Sequence, residues 1–208
     1  MKVLNLYAGI GGNRKLWTDC EVTAVEWDQE TANVYKDYFP NDEVVVGDAH
    51  QYLLDHFNKF DFIWSSPPCP THSILNTGNY GLGRKMKYPD MSLYQEIIFL
   101  DNCFRGKYCV ENVKPYYTPL IPPAKILHRH FYWTNFKISN YDDFDKERKH
   151  NDIKATSNVY GFEISETDIS DKTKALRNMV DPALGLHIFN AAKGIITKSK
   201  TKQLSISL

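Results

Sequence analysis

The chain has 208 residues, with 25 basic and 25 acidic side chains, a formal net charge of zero, and 42% apolar and 13% aromatic residues. That content fits a domain with a sizeable core and excludes disordered or collagen-like classes; no apolar run approaches the roughly 18 residues of a membrane span, so a soluble protein with no membrane partner is expected. Charge balance removes any general attraction to nucleic acid, yet it can average local basic patches against acidic ones.

Residues 2–7, KVLNLY, read as a strand, followed by the turn AGIGG and a stretch expected to be helical from Asn13. Strand, glycine turn and helix open a nucleotide-binding unit. VTAVEW (22–27) reads as a second strand, QETANVYKDYFP as a helix stopped by Pro40, EVVVGDAH as a third strand and turn, and FDFIWSSPP (60–68) as a fourth strand. This alternation predicts an α/β fold with a mostly parallel central sheet. Between Pro70 and Pro89, with Gly78, Gly81, Gly83 and the basic Arg84, Lys85 and Lys87, sustained periodicity is lacking and a long mobile loop is expected. Asp90 is placed to cap a helix whose apolar face holds Met91, Tyr94, Ile97 and Ile98, leading to a fifth strand, KYCVENV (107–113).

AKILHRHFYWTNFKIS favours a strand with an edge strand or hairpin, and residues 140–158 are polar and nearly charge-balanced. A turn at Asp181-Pro182 precedes a short closing helix, and the tail carries Lys193, Lys198, Lys200 and Lys202 without an acid, which suits a loose or polyanion-binding end. With no internal repeat, one domain is expected over 1–192, in which 136–175 is a minimal recognition or connecting region and 193–208 a basic tail.

Gly9, Gly11 and Gly12 stand where the backbone turns sharply or approaches a ligand. In AGIGGNR, however, Arg14 takes the place of the third glycine of GxGxxG, and no GKS or GKT follows, which argues against both the dinucleotide and the P-loop readings. Glu26 ends the second predicted strand, where a carboxylate can accept from ribose hydroxyls while Trp27 stacks on a purine; the plainer alternative is a surface glutamate beside a half-buried tryptophan. Asp48 reaches the same sheet edge. Cys69, presented by the prolines of SSPPCPTHS, is a candidate nucleophile, whereas Cys20, Cys103 and Cys109 lie in or beside core elements and read as packing residues. Glu111 and Asn112 emerge near Cys69 if the sheet is parallel, either to handle a proton or merely to cap the strand edge. Arg129 in HRHFYW either orients a base carbonyl or carboxylate or is an exposed strand arginine. The cysteines form no CxxC pair and the histidines no HExxH or zinc-finger spacing, so neither disulfide nor metal is expected, and a reducing cytoplasm is.

Taken in order, NLYAGIGG, VEWD, GDAH, SSPPCP and VENV resemble the motifs of the DNA cytosine-5 methyltransferases, particularly compact bacterial or phage-type members with a much reduced target recognition region. The resemblance runs from residue 3 to about 192. It implies a Rossmann-like S-adenosylmethionine-dependent methyltransferase fold, with S-adenosylhomocysteine as product and no metal. Tyr7, where the family usually has Phe, and Trp27 would pack around the cofactor, Glu26 would bind its ribose and Asp48 its adenine amino group. Ala8, Gly9, Gly11, Gly12 and Pro68 complete the implied cofactor set. Cys69 would attack C6 of cytosine, Glu111 would hold or protonate N3, and Arg129 would match the second motif arginine, although the family's preceding QxR is absent from AKILH. RNMVDPALGLHIF resembles the closing motif, usually written around GNSV, so Asn178 and Val180 would close the pocket.

The resemblance further implies double-stranded DNA as substrate, a flipped cytosine, and a place in restriction-modification or phage protection within a bacterial or phage-infected cytoplasm. Residues 71–88 would close over the base, with Arg84, Lys85 and Lys87 on phosphates. The short segment from Phe136 to Ala175 predicts a short target, relaxed specificity, or a homodimer or partner protein that supplies recognition surface. Two other readings stay open at this stage: a catalytically weak or inactive DNA-binding or regulatory subunit on a methyltransferase scaffold, and an RNA cytosine-5 methyltransferase.

Overall fold

Seven strands form one sheet in the computed structural model, which describes residues 1–83, 85–141, 160–164, 167 and 169–195. The strands are β1 Lys2–Leu6, β2 Glu21–Glu26, β3 Glu43–Val46, β4 Phe62–Ser65, β5 Lys107–Val113, β6 Lys125–Leu127 and β7 His130–Thr134. The helices are α1 Gln29–Tyr38, α2 Ala49–His56, α3 Ile74–Gly81, α4 Ser92–Cys103, α5 Lys172–Asn178 and α6 Pro182–Ala192. Arg84, the lysines 198, 200 and 202, and residues 142–159 of the expected recognition segment lie outside the described residues.

The strand order is β3-β2-β1-β4-β5-β7-β6. The first five strands pair parallel; β7 runs antiparallel to β5, and β6 antiparallel to β7. The chain steps outward from β1 to β3 and then returns to the other side of β1. Open α/β sheets bind ligands beyond the carboxyl ends of their strands at such a reversal. Tyr7, Glu26, Asp48, Cys69 and Glu111 follow or end parallel strands, so topology alone collects them at one edge. Because β7 is antiparallel, it is its start that reaches this edge, with His130 paired to Val113.

Alternation along the strands fills two faces of the sheet. Leu4, Leu6, Ile63 and Val110 pack with Leu93, Ile97 and Leu100 of α4, while Val3, Phe62, Trp64 and Cys109 pack with Trp17 and with Leu184, Ile188 and Phe189 of α6. Each such aliphatic side chain fully removed from water contributes about 1.5–3 kcal/mol. A further cluster joins Ile10 and Val34 to Phe162, Ile164 and Leu176. Part of the segment expected to serve recognition or connection is therefore core.

Several elements differ from the sequence-based expectation. The helix expected from Asn13 is instead a run of turns, Arg14 N–H to Gly11 O and Trp17 N–H to Arg14 O. Tertiary contacts override local propensity here: the Asn13 amide donates to buried Asn5 at 2.7 Å, and Arg14 pairs with Asp42 at 2.8 Å. Helix α2 follows β3 where only a turn is expected, with Asp48 as its cap. Within the expected long loop lies α3; Asn76, almost fully buried, donates to the Lys87 carbonyl and accepts from the Lys87 N–H, folding that segment back on itself. On α4 the buried face is Leu93, Tyr94, Glu96, Ile97 and Leu100, whereas Met91 and Ile98 are exposed. A glutamate inside the apolar stripe disguises the true face. Helix α5 is an additional element, and the β6–β7 hairpin and the Asp181-capped α6 agree with expectation. Cys109 is buried and Cys20 half-buried, but Cys103 is exposed and is not a core packing residue. Among the described residues no helix is long and apolar enough to cross a membrane.

Candidate active site at the carboxyl edge of the sheet

One half of the edge is built by β1, β2 and β3. After β1, Tyr7 takes φ +55 and Gly9 φ +55, turning the chain across the sheet end. The Glu26 carboxylate accepts from the Gly9 N–H at 2.8 Å and from the Asp28 N–H at 3.1 Å, so its orientation is set by two backbone donors from separate segments. Trp27, next in sequence, is 74% exposed. A large indole left in water beside a fixed carboxylate is a surface on which a purine nucleoside can stack and hydrogen-bond. Asp48 is exposed, and its Oδ1 accepts from the His50 and Gln51 N–H groups.

At the remaining glycines of the turn, the side a Cβ would occupy is filled by other elements. At Gly11, φ +87, a Cβ would meet the Phe39 and Tyr35 rings, and at Gly12 it would meet the Met179 side chain and the Val180 carbonyl. The closing segment therefore rests directly on the glycine turn. Val180 is half-buried in the core, Asn178 is exposed at the end of α5, and Ala8 is buried, its N–H donating to Val25 O.

The other half is built by β4, β5 and the β6–β7 hairpin. Pro67 is buried, Pro68 exposed and Cys69 half-buried. The Asn112 amide donates to the Pro67 carbonyl at 2.9 Å, tying the end of β5 to the cysteine loop, and the N–H groups of His72 and Ser73 close turns onto the Cys69 carbonyl. Burial, and secondarily the charge of Glu111, push the Cys69 thiol above its ordinary range, while Arg129 opposes them. Cys69, Glu111 and Arg129 thus share one electrostatic neighbourhood. Glu111 is buried, and its Oε1 lies 3.5 Å from His130 Nε2. Arg129 is exposed in the hairpin turn, and its carbonyl accepts from the Lys114 N–H.

Two residues at this edge escape sequence reasoning. His130, beside the arginine singled out from HRHFYW, is the side chain that faces Glu111; the antiparallel register against β5 is the signal that would have located it. Glu96 lies beneath Tyr7, and its signal is a carboxylate inside an apolar helical stripe. Among the described residues no group of His, Cys, Asp and Glu forms a metal site.

Residues 1–117 match the model of a family described as C-5 cytosine-specific DNA methylase. No curated protein matches the chain. Among solved structures it is similar to a mutant of Spodoptera frugiperda DNMT2, at 29% identity and TM-score 0.40, over 54% of this chain and 35% of that one. It is also similar to a candidate DNA modification methyltransferase from a prophage of Escherichia coli, at 22% identity and TM-score 0.38, over 57% and 33% of the two chains. The chain therefore spans about a third of the length of these two. The Entamoeba histolytica methyltransferase EhMeth matches in fold over 95% of this chain and 99% of its own, with TM-score 0.51 and 8% identity.

Proposed function

This chain belongs to the C-5 cytosine-specific DNA methylase family, and from that premise we propose that it transfers a methyl group from S-adenosylmethionine to C5 of a flipped cytosine in double-stranded DNA, through a covalent bond from Cys69. Its fold is the α/β, mostly parallel sheet of Rossmann-like methyltransferases. The observation that carries the proposal is the tie from Asn112, next to buried Glu111, to the Pro67 carbonyl of the Cys69 loop, beside the edge where Glu26 and Trp27 offer a nucleoside surface.

The fixed Glu26 carboxylate and the exposed Trp27 indole fit the adenosine part of the cofactor, with Tyr7, Asp48 and the turn Ala8, Gly9, Gly11 and Gly12 around it, and Pro68, Asn178 and Val180 closing the site. Bound there, S-adenosylmethionine supplies an electrophilic methyl group. Cys69 Sγ loses its proton and bonds to C6 of the ring, while protonated Glu111 donates to N3 and draws the electrons of the C5=C6 bond toward C5 for methylation. A base then takes the C5 proton, the Cys69–C6 bond breaks with its electrons returning to Sγ, and N3 gives its proton back to the Glu111 carboxylate, which restores the neutral aromatic ring and both side chains. The two side chains are coupled. Glu111 as an anion disfavours the thiolate, so placing a proton on Glu111 for its contact with N3 also removes one of the causes that hold Cys69 protonated. Arg129 favours the thiolate and is placed to contact the cytosine carbonyl.

Flipping costs a few kcal/mol. The cysteine loop carries exposed Lys85 and Lys87 with exposed Ile74, Leu75, Leu82 and Tyr88, a surface suited to phosphates and to an unstacked duplex. Within 136–175, Phe162 and Ile164 are committed to the core, which supports a small recognition region and hence a short target or help from a second copy or a partner protein. We place the domain limits at 1–192 with a basic tail, and the setting in a bacterial or phage-infected cell.

A second reading, a catalytically weak or regulatory member of the family, is favoured by the upward-shifted Cys69 thiol and by the approach of His130 to Glu111. A third reading keeps the chemistry and changes the substrate to RNA. One experiment separates the three: methyl transfer to mixed duplex DNA and to structured RNA, each beside Cys69→Ala. Methylated DNA above that control supports the main reading, methylated RNA alone shifts the substrate, and no product on either leaves the regulatory reading.

A further inference from the structure

Glu96 of α4 has a side chain with no exposure at all, set among Leu93, Tyr94, Ile97 and Leu100. A charge so placed is costly unless it is paired and hydrogen-bonded. Three donors meet it: Tyr7 Oη at 2.5 Å and His50 Nδ1 at 2.9 Å share Oε1, and Ser65 Oγ donates to Oε2 at 2.5 Å. Each comes from a different element of the ligand edge, namely the turn after β1, the first turn of α2 and the end of β4.

The consequences for the edge are specific. Tyr7 holds φ +55, a left-handed conformation that is unfavourable outside glycine, and the bond from its hydroxyl to a buried carboxylate opposes that strain and fixes the ring. Burial and then Glu96 push the Tyr7 hydroxyl far above its ordinary range, so it remains a donor. His50 is tied inward through Nδ1 while its side chain is 41% exposed, so the Nε2 side of the ring is the part that meets solvent. The bond to Glu96, and then the charges of Glu96, Asp48 and Asp90, raise the His50 pKa against the opposing effect of burial.

We propose that Glu96 is a positioning residue for the cofactor: anchored by Ser65, it holds the Tyr7 ring and the His50 imidazole as two walls of the adenosine end of the S-adenosylmethionine site. This rests on the reading of the edge given above and adds a residue that touches no ligand. Where the family resemblance places a phenylalanine, Tyr7 supplies the hydroxyl that makes this brace.

Calorimetric binding of S-adenosylhomocysteine to the wild-type chain, Glu96→Gln and Tyr7→Phe tests it. The amide keeps the volume of Glu96, and both hydroxyls can turn to meet it, so the variant stays folded at the assay temperature. Losing charged hydrogen bonds is expected to weaken its binding about tenfold, and Tyr7→Phe about threefold. In methyl transfer, the KM for S-adenosylmethionine of Glu96→Gln rises by about the same tenfold, while kcat stays within about twofold of wild type. Wild-type affinity in Glu96→Gln overturns the proposal, as does a kcat loss with unchanged KM. Should Glu96→Gln fail to fold, Tyr7→Phe decides, and unchanged affinity there overturns it. A wild-type chain that binds no S-adenosylhomocysteine removes the cofactor reading itself and this inference with it, a result recognisable because it needs no variant.

Discussion

The two halves of the carboxyl edge are held in different ways. On the cofactor half, three of the side chains already serve the fold. Glu26 accepts from two backbone N–H groups, Asp48 caps α2, and Tyr7 is braced on Glu96 at 2.5 Å. On the catalytic half, backbone and amide bonds position the chain, Asn112 to the Pro67 carbonyl and His72 to the Cys69 carbonyl, while among the described residues the ion-pair approach to Glu111 is His130 at 3.5 Å. A binding surface can be preorganised by groups that also stabilise the protein. A nucleophile and its acid must stay loosely held until substrate arrives, and the 3.5 Å approach of His130 to Glu111 is longer than the bonds of the cofactor half. Substitutions on the cofactor half should therefore cost stability and affinity together, whereas those on the catalytic half should cost rate alone.

The largest effect is expected on the catalytic half. Glu111→Gln removes the proton that N3 requires and should slow methyl transfer by roughly 10²–10⁴-fold, with a melting temperature close to wild type. A variant that is equally slow but markedly less stable would break the comparison, because Glu111 would then be structural. Next comes Glu26→Ala, which removes the acceptor of the part-buried Gly9 N–H and of the exposed Asp28 N–H. About 1 kcal/mol of stability should be lost together with affinity for S-adenosylhomocysteine, measured by chemical denaturation and calorimetry on one preparation. Loss of affinity without loss of stability would show that Glu26 is held by ligand rather than by the turn. Asp48→Ala should cost about 1 kcal/mol through the lost cap of α2, with a smaller loss of affinity.

Sequence reasoning reached what topology decides and missed what tertiary contacts decide. Alternating apolar strands and the residues at their ends sufficed to bring Glu26, Asp48, Cys69 and Glu111 to one edge, since parallel strands deliver their carboxyl ends together. The bounds of β5, Lys107–Val113, agree for the same reason: a continuous apolar run between a basic start and a polar exit has one reading as a buried strand. Helix α3 was hidden because its glycine-rich sequence has weak propensity and is held by the Asn76 bonds to Lys87, a contact eleven residues away. The face of α4 is not legible in sequence because Glu96 reads as solvent-seeking, whereas Tyr7, His50 and Ser65 meet it inside the fold. His130 is not legible either, because only the antiparallel register of β7 tells which of two adjacent basic side chains turns toward Glu111.

The smallest expected effect is also the most direct probe of the catalytic half. Burial first, then Glu111, raises the Cys69 pKa, and Arg129 lowers it. A thiol raised in this way holds less thiolate at a given pH, and alkylation follows the thiolate. The rate of Cys69 carboxamidomethylation, followed by peptide mass spectrometry, should thus inflect on the alkaline side of a free thiol. Glu111→Gln removes a cause that raises the pKa and should move the inflection back toward neutrality; Arg129→Gln removes the lesser of two causes that lower it, after a backbone hydrogen bond, and should move the inflection further alkaline. Opposite shifts from two substitutions, neither of which braces the fold, mean that the three groups feel one another without being bonded. If both variants leave the inflection unmoved, burial and the backbone hydrogen bond govern the thiol, and the coupling of Glu111 protonation to Cys69 attack is lost, together with the picture of the catalytic half as a poised but loosely held site.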